Sequence, residues 1–138
     1  HIFFNDEWFG FDDGVYVAAR LLRILAAGSL SSAALFATIP DSVNTPELKL
    51  PMSEERKADF MAQLLACDFA DAERITIDGL RVDFGYGWGL VRPSNTSPYL
   101  VLRFEADTIE NLKKIKTLFS KRLLGIDPDL ALPFSVDD

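Results

Sequence analysis

The chain has 138 residues, of which 49% are hydrophobic, so it is long and apolar enough for one domain with a packed core, or for one domain with part of another. Its formal net charge of −7 argues against nucleic acid as a bulk partner, because such a partner requires a broad basic surface. One cysteine and one histidine exclude an intramolecular disulfide and a His/Cys metal cluster within the chain.

The start of the chain suggests that it belongs to something longer. Residue 1 is His rather than Met, and the apolar residues 2–4 follow it without the features of a secretory signal. We therefore expect the C-terminal piece of a longer protein in a reducing cytoplasm, in keeping with the single cysteine. No apolar run approaches the roughly 18–20 residues that cross a bilayer, so we expect no membrane partner.

Residues 1–38 have the pattern of a strand followed by a helix. Residues 2–4 suit a buried strand, and Asp12 or Asp13 suits the cap of a helix that runs to about Ala27. The apolar stripe of that helix comprises Val15, Ala18, Leu22 and Leu25. Such a helix needs a sheet to pack on, and too little chain precedes it to supply one. The segment is therefore predicted to be the C-terminal remnant of an α/β domain.

Prolines mark the end of this remnant. Pro40 and Pro46 flank a polar stretch, so we predict a hinge or linker at residues 39–46. The remaining residues, 47–138, are predicted to form a separate C-terminal domain.

This C-terminal segment alternates short strand patterns with two amphipathic helices. The strand patterns lie at residues 47–50, 75–82 and 99–106. The second of them is a hairpin pattern around a two-residue turn of Asp78 and Gly79. One helix is capped by Ser53, and the other follows a capping box at residues 107–110. These elements predict an α+β fold, a small antiparallel-rich sheet with two helices on one face.

A polar loop, RPSNTSP at residues 92–98, separates two apolar runs. Its two prolines favour a loop. The guanidinium of Arg92 can grip two phosphate oxygens, while hydroxyls, an amide and backbone N–H groups bind the others. The candidate phosphate-binding residues are therefore Arg92, Ser94, Asn95, Thr96 and Ser97. An ordinary polar hairpin connection would have a similar composition.

Two further features bear on this loop and on the start of the chain. Gly85, Gly87 and Gly89 precede the loop and are predicted to bend or bulge a strand that aims it. His1 is by default a mobile terminal residue. Inside a longer protein, however, it could transfer a proton near physiological pH, which makes it a candidate catalytic residue.

Three motifs together resemble a known family. They are HIFF at residues 1–4, WFGFDDG at 8–14 and GWGLVRPSNTSP at 87–98. They are similar to the bacterial phosphomannomutase/phosphoglucomutase branch of the α-D-phosphohexomutases, and the resemblance covers essentially the whole chain. The most specific element is Arg-x-Ser-Asn-Thr-x-Pro. Phosphoglucosamine mutases usually have Ser-Gly-Thr-Glu in this loop, so Asn95 favours the hexose-phosphate branch.

The resemblance implies a four-domain enzyme, of which this chain would be the end of the third domain and the whole fourth. That enzyme would interconvert hexose 1-phosphate and hexose 6-phosphate of glucose or mannose through a bisphosphate. Its phosphoserine and its Mg²⁺ would lie in other domains, so this chain alone would be an inactive part of an isomerase. The expected partners are the phosphosugar and the remaining domains.

The resemblance also assigns residues. Arg92, Ser94, Asn95 and Thr96 match the family's loop for the non-reacting phosphate, whereas Ser97 stands where a Glu is common. His1 matches the last residue of the family's Gly-Glu-Met-Ser-Gly-His sugar-recognition loop. The rest of that loop is absent, so the chain does not report sugar preference. Two alternatives stay open: a phosphoglucosamine mutase fragment, and a non-catalytic interaction module that binds a partner through its N-terminal aromatics.

Overall fold

A computed structural model describes residues 1–70 and 72–136, which fall into two compact units. We call residues 1–41 the N-terminal unit and residues 42–138 the C-terminal unit. Among the described residues, the first unit contains two helices and the second contains a sheet with two more.

The N-terminal unit has helices α1 (Gly14–Ala27) and α2 (Ser32–Phe36). Asp13 caps α1 as predicted, because its carboxylate accepts hydrogen bonds from two N–H groups of the first turn, each at 3.0 Å. The predicted strand at residues 2–4 is reduced to one isolated bridge between Phe3 and Asp12. Within residues 1–41, all of them described, there is no strand with which it could form a longer ladder.

The C-terminal unit is a mixed α+β structure. Its strands are β1 (Val43–Asn44), β2 (Leu48–Pro51), β3 (Glu73–Ile75), β4 (Leu80–Asp83), β5 (Gly87–Pro93) and β6 (Tyr99–Ala106), and its helices are α3 (Glu54–Ala66) and α4 (Ile109–Ile126). The sheet order is β1-β6-β5-β4-β3, with β2 also paired to β6, and every pairing is antiparallel. The long strand β6 therefore holds both short strands on one side and β5 on the other.

Both helices pack on the same face of this sheet, which we call the helix face. Alternation along the strands directs Leu100, Leu102 and Phe104 of β6 toward α3 and α4. The core includes these residues with Leu80, Val82 and Val91 of the neighbouring strands and Phe60, Leu64, Leu112, Ile115, Phe119 and Leu123 of the helices. The predicted fold class, a small antiparallel-rich sheet with two helices on one face, is confirmed.

Part of the predicted linker belongs to the sheet. Val43 and Asn44 form β1 and pair with Ala106 and Glu105. Thr45 is buried, and its hydroxyl accepts a hydrogen bond from the N–H of Phe104 at 3.1 Å. The division between the two units therefore lies between residues 41 and 42.

The hairpin of β3 and β4 forms, but its turn is longer than the predicted two residues. Residues 76–79 connect the strands, and Ile77 at the tip is 95% exposed. Gly79 has φ +84°, and a Cβ there would overlap the backbone of Val91 and Arg92. The turn thus lies against β5, and this close approach requires glycine.

The glycines of β5 produce no bulge. Gly87 pairs with Ala106 and Gly89 with Phe104 in a regular ladder. A Cβ at Gly89 would overlap the ring of Phe119 on α4. The physical reason for this glycine is therefore the close packing of a helix on the strand, rather than a bend.

Candidate phosphate-binding site

The candidate loop, residues 92–98, joins β5 to β6 at one end of the sheet. The N–H of Ser94 donates to the carbonyl of Tyr99 at 3.1 Å, which closes the hairpin. Arg92 pairs with Val101 in the ladder and so lies on the face of the sheet opposite the helices. Arg92 thus lies at the end of β5, and the other four predicted residues, 94–97, follow directly after that strand.

Three carbonyl groups of the loop bond toward the interior. Lys57 of α3 donates from its Nζ to the carbonyl oxygens of Ser94 at 2.8 Å and of Ser97 at 2.5 Å. The carbonyl of Pro98 accepts a hydrogen bond from the N–H of Met52 at 2.9 Å. Because these three carbonyls are bonded inward, the loop does not turn them toward an approaching anion, which would be repelled by exposed acceptors.

The side chains of Asn95 and Thr96 lie at the exposed tip of the loop. The N–H of Thr96 reaches the hydroxyl of Ser94 at 3.4 Å, a weak local contact. Among the described residues, no hydrogen-bond partner exists for the backbone N–H of Asn95. This N–H can therefore donate a hydrogen bond to a ligand.

Arg92 is held loosely. Its side chain is 35% exposed, and its guanidinium lies 3.8 Å from a carboxylate oxygen of Asp78, at the limit of an ion pair. Such a partly exposed pair contributes little to stability. The guanidinium can consequently exchange this carboxylate for a phosphate at small cost.

Tyr99, at the far end of the loop, was not among the predicted residues. Hydrogen bonds from the hydroxyls of Ser97 and Ser94 lower the pKa of its phenol, and the charge of Lys49 adds to this effect. The Nζ of Lys49 lies 5.1 Å from the centre of the Tyr99 ring. Lys49 pairs with Val101 and thus lies on the face that carries Arg92, so no local sequence signal links it to Tyr99 without the register of β2 on β6.

Lys57 was also missed. It occupies a buried position of α3, together with Phe60, Met61 and Leu64. A lysine at spacing i, i+3, i+4 and i+7 within an apolar stripe is the signal that could have identified it, because a buried charge requires partners.

His1 lies in the N-terminal unit, and its side chain is 81% exposed. Its Nδ1 contacts the carboxylate of Asp12. A carboxylate at Nδ1 fixes the tautomer that leaves Nε2 free to exchange a proton. No group of three or more His, Cys, Asp or Glu side chains that could hold a metal ion occurs in residues 1–70 or 72–136.

No helix within the described part of the chain is both long enough and apolar enough to cross a membrane.

Comparison of the sequence with known proteins identifies the protein family of this chain. The family model for the phosphoglucomutase/phosphomannomutase C-terminal domain matches residues 47–121. The chain is 49% identical over 135 residues to a phosphomannomutase/phosphoglucomutase of Pseudomonas putida, an alignment that covers 97% of this chain and 29% of that protein. It is 48% identical over 136 residues to a phosphoglucomutase of Neisseria meningitidis, covering 96% of this chain and 29% of the relative.

A solved structure agrees. The crystal structure of a phosphoglucomutase/phosphomannomutase family protein from Burkholderia thailandensis matches with a TM-score of 0.84 and 45% identity, over 97% of this chain and 28% of that one. The chain therefore belongs to the phosphoglucomutase/phosphomannomutase family and carries its C-terminal domain. It spans 29% of the length of each of the two curated relatives named above.

Proposed function

We propose that this chain is the C-terminal part of a phosphohexomutase that interconverts hexose 1-phosphate and hexose 6-phosphate of glucose or mannose through a bisphosphate. In that enzyme, residues 92–98 bind the phosphate that is not reacting. The observation that carries the proposal is the orientation of this loop. The carbonyls of Ser94 and Ser97 bond inward to Lys57, whereas, among the described residues, the N–H of Asn95 has no partner and the guanidinium of Arg92 has only its 3.8 Å contact with Asp78.

In the proposed complex, Arg92 binds two phosphate oxygens, and Ser94, Asn95 and Thr96 bind the remainder. The hydroxyl of Ser97, which lowers the pKa of the Tyr99 phenol, lies at the edge of the site. Each hydrogen bond to the charged phosphate contributes roughly 1.5–3 kcal/mol. Because these groups recognise the phosphate and not the sugar, the site tolerates both orientations that a bisphosphate must adopt between the two half-reactions. The chain's overall charge of −7 requires this anion site to be built locally.

His1 is proposed to transfer protons in the same enzyme. Asp12 orients its imidazole through Nδ1 and leaves Nε2 to exchange the proton. The phosphoserine and the Mg²⁺ are proposed to lie outside this chain, in the remaining domains. Mg²⁺ would there neutralise charge on the transferring phosphoryl group. We propose a cytoplasmic location for the whole enzyme.

The test of the loop is a two-dimensional NMR titration of this chain with glucose 1-phosphate, mannose 1-phosphate, inorganic phosphate and glucose. We expect amide shifts at residues 92–96 with the three phosphates and none with glucose. Arg92→Ala should abolish the shifts, and Arg92→Lys should weaken them because a point charge cannot reproduce the guanidinium fork. Arg56→Ala is the matched control, since Arg56 also pairs with one aspartate, Asp127.

Two outcomes would contradict this assignment. One is an equal response to glucose, and the other is a phosphate response that survives Arg92→Ala. In an enzyme that contains this chain, Arg92→Ala should raise KM and lower kcat, because the substrate is no longer held for the transfer. Wild-type values of both parameters would contradict the proposed role.

A second candidate function is a non-catalytic interaction module, which the exposed aromatics of the N-terminal unit favour. Phe3, Phe9 and Phe11 are 62%, 78% and 51% exposed. In the mutase these rings are covered by the remaining domains. Adding those domains should therefore protect the rings from solvent and raise the unfolding temperature of the chain. Rings that stay exposed in the longer protein would favour the interaction module.

A further inference from the structure

We infer that Lys57 is a positioning residue for the phosphate loop: its buried ammonium holds two loop carbonyls inward and thereby turns the N–H of Asn95 toward the ligand. This inference rests on the proposed phosphate-binding function. It concerns a side chain on α3, a different element from the strands that carry the loop.

All three ammonium protons of Lys57 have acceptors. The Nζ lies 2.6 Å from a carboxylate oxygen of Glu54, 2.8 Å from the carbonyl of Ser94 and 2.5 Å from that of Ser97. The side chain is only 6% exposed, so water does not compete strongly for these donors. A lysine ammonium has three donors and no acceptor, and here each donor is used.

The geometry of the peptide bond transmits this arrangement to the outer side of the loop. In a trans peptide the C=O and the following N–H point in opposite directions. When the carbonyl of Ser94 points at Lys57, the N–H of Asn95 must point away from it, toward solvent. The second carbonyl belongs to Ser97, which precedes Pro98, so holding it inward turns away no N–H group.

Glu54 completes the arrangement without blocking the ligand. Its carboxylate compensates the buried charge of Lys57, and its side chain is 66% exposed. Replacing Lys57 by methionine keeps a similar length and removes all three donors. The carbonyl of Ser97 would keep the N–H of Tyr99 as a donor at 2.8 Å, whereas the carbonyl of Ser94 would lose the one donor it has among the described residues. This loss favours rotation of the peptide between Ser94 and Asn95 toward water. The donor of Asn95 would turn with it.

The test compares Lys57→Met with wild type by NMR, with Lys114→Met as the control. Lys114 is an exposed lysine of α4 with one side-chain contact, to Asn111. In Lys57→Met the titration with glucose 1-phosphate should lose the amide shift of Asn95 while the side-chain N–H of Arg92 still responds. The dissociation constant should rise about tenfold, the factor that corresponds to about one net hydrogen bond. A general loss of structure would weaken both responses alike.

Folded Lys57→Met with the wild-type Asn95 shift and affinity would overturn the inference. Ligand-free spectra separate it from the proposed function: the ¹³C shifts of the carbonyls of Ser94 and Ser97 should change in Lys57→Met whether or not the wild type binds phosphate. If Lys57→Met does not fold, a measurement on the wild-type chain still tests the inference. Its Lys57 ammonium should give a slowly exchanging ¹⁵N signal that moves with Asn95 on adding glucose 1-phosphate, and absence of that signal would overturn the inference.

Discussion

The two units of this chain differ in what holds their helices in place. In the C-terminal unit, α4 buries Leu112, Ile115, Phe119 and Leu123 against the sheet. In the N-terminal unit, α1 is equally well specified by its cap and its apolar stripe, yet none of residues 1–41 is buried. Val15, Leu22 and Ile24 of α1 are 83%, 65% and 55% exposed.

This difference shows that the position of a helix and the burial of its apolar stripe have separate causes, although one sequence pattern predicts both. A cap and a 3.6-residue period determine where a helix forms, because they depend on neighbouring residues. Burial of the stripe depends on a partner that can be far away in sequence. Most of a helix's stability in a protein comes from that packing. The C-terminal unit contains the surface on which its helices pack, whereas the contacts of α1 within the N-terminal unit bury none of its residues.

The largest expected effect sharpens this contrast with one substitution in each unit. Phe119 is fully buried between Phe104 and Phe69, so Phe119→Ala should lower the free energy of unfolding by about 3–5 kcal/mol. Phe9 is 78% exposed and touches two aromatic rings, so Phe9→Ala should cost less than about 1 kcal/mol. Urea denaturation followed by circular dichroism measures both. Equal costs would mean that the aromatics of the N-terminal unit form a core of their own.

A smaller effect tests whether α1 relies on its cap. Asp13 accepts two N–H bonds at the start of α1, so Asp13→Ala should cost about 0.5–2 kcal/mol and speed amide exchange through residues 14–27. Ser53 at the start of α3 makes no such bond, and the buried face of α3 holds the helix in any case. Ser53→Ala should therefore change exchange in α3 little. A loss of protection in α3 as large as that in α1 would contradict the comparison.

Much of the fold could be predicted because its signals are local. The strand at Tyr99–Ala106 and the helix starts at Asp13 and Ser53 follow from alternation and caps. The last helix starts one residue later than the capping box at residues 107–110 predicted, because Thr108 and not Asp107 is its cap. The turn between β3 and β4 could not be placed, since its length depends on how Gly79 packs on β5. The role of Gly89 was mistaken for the same reason, because Phe119 lies 30 residues further along the chain.

The residues of the candidate site also fall into those that local sequence could predict and those that it could not. The residues of the loop itself could be proposed from their chemistry, and the structure brings all five together at one strand end. Lys57, 37 and 40 residues before the carbonyls it holds, could not be linked to them by any local pattern. Tyr99 and Lys49 likewise become neighbours only through the pairing of β2 with β6.

The smallest expected effect uses one ion pair in each unit as a reporter of local structure. Arg20 lowers the pKa of Asp6 in the N-terminal unit, and Arg56 lowers that of Asp127 in the C-terminal unit. Since both folded-state pKa values lie below the unfolded one, the pairs stabilise the fold above the unfolded pKa of about 3.9, and this stabilisation is lost as the pH falls through the folded values.

Carboxyl ¹³C titration of the chain should show both aspartates titrating low, and Arg20→Gln should raise the pKa of Asp6 and leave that of Asp127 unchanged. Arg56→Gln is the matched control and should raise only that of Asp127. The two pairs differ in sequence separation, 14 residues for Asp6 with Arg20 and 71 for Asp127 with Arg56, so the second requires the tertiary fold of its unit. If Asp6 titrates normally while Asp127 titrates low, contacts that bury no residue are too weak to hold the N-terminal unit together. A low value for both would mean that the guanidinium of Arg20, which also stacks on the ring of Phe4 at 4.3 Å, holds that unit together without a buried core.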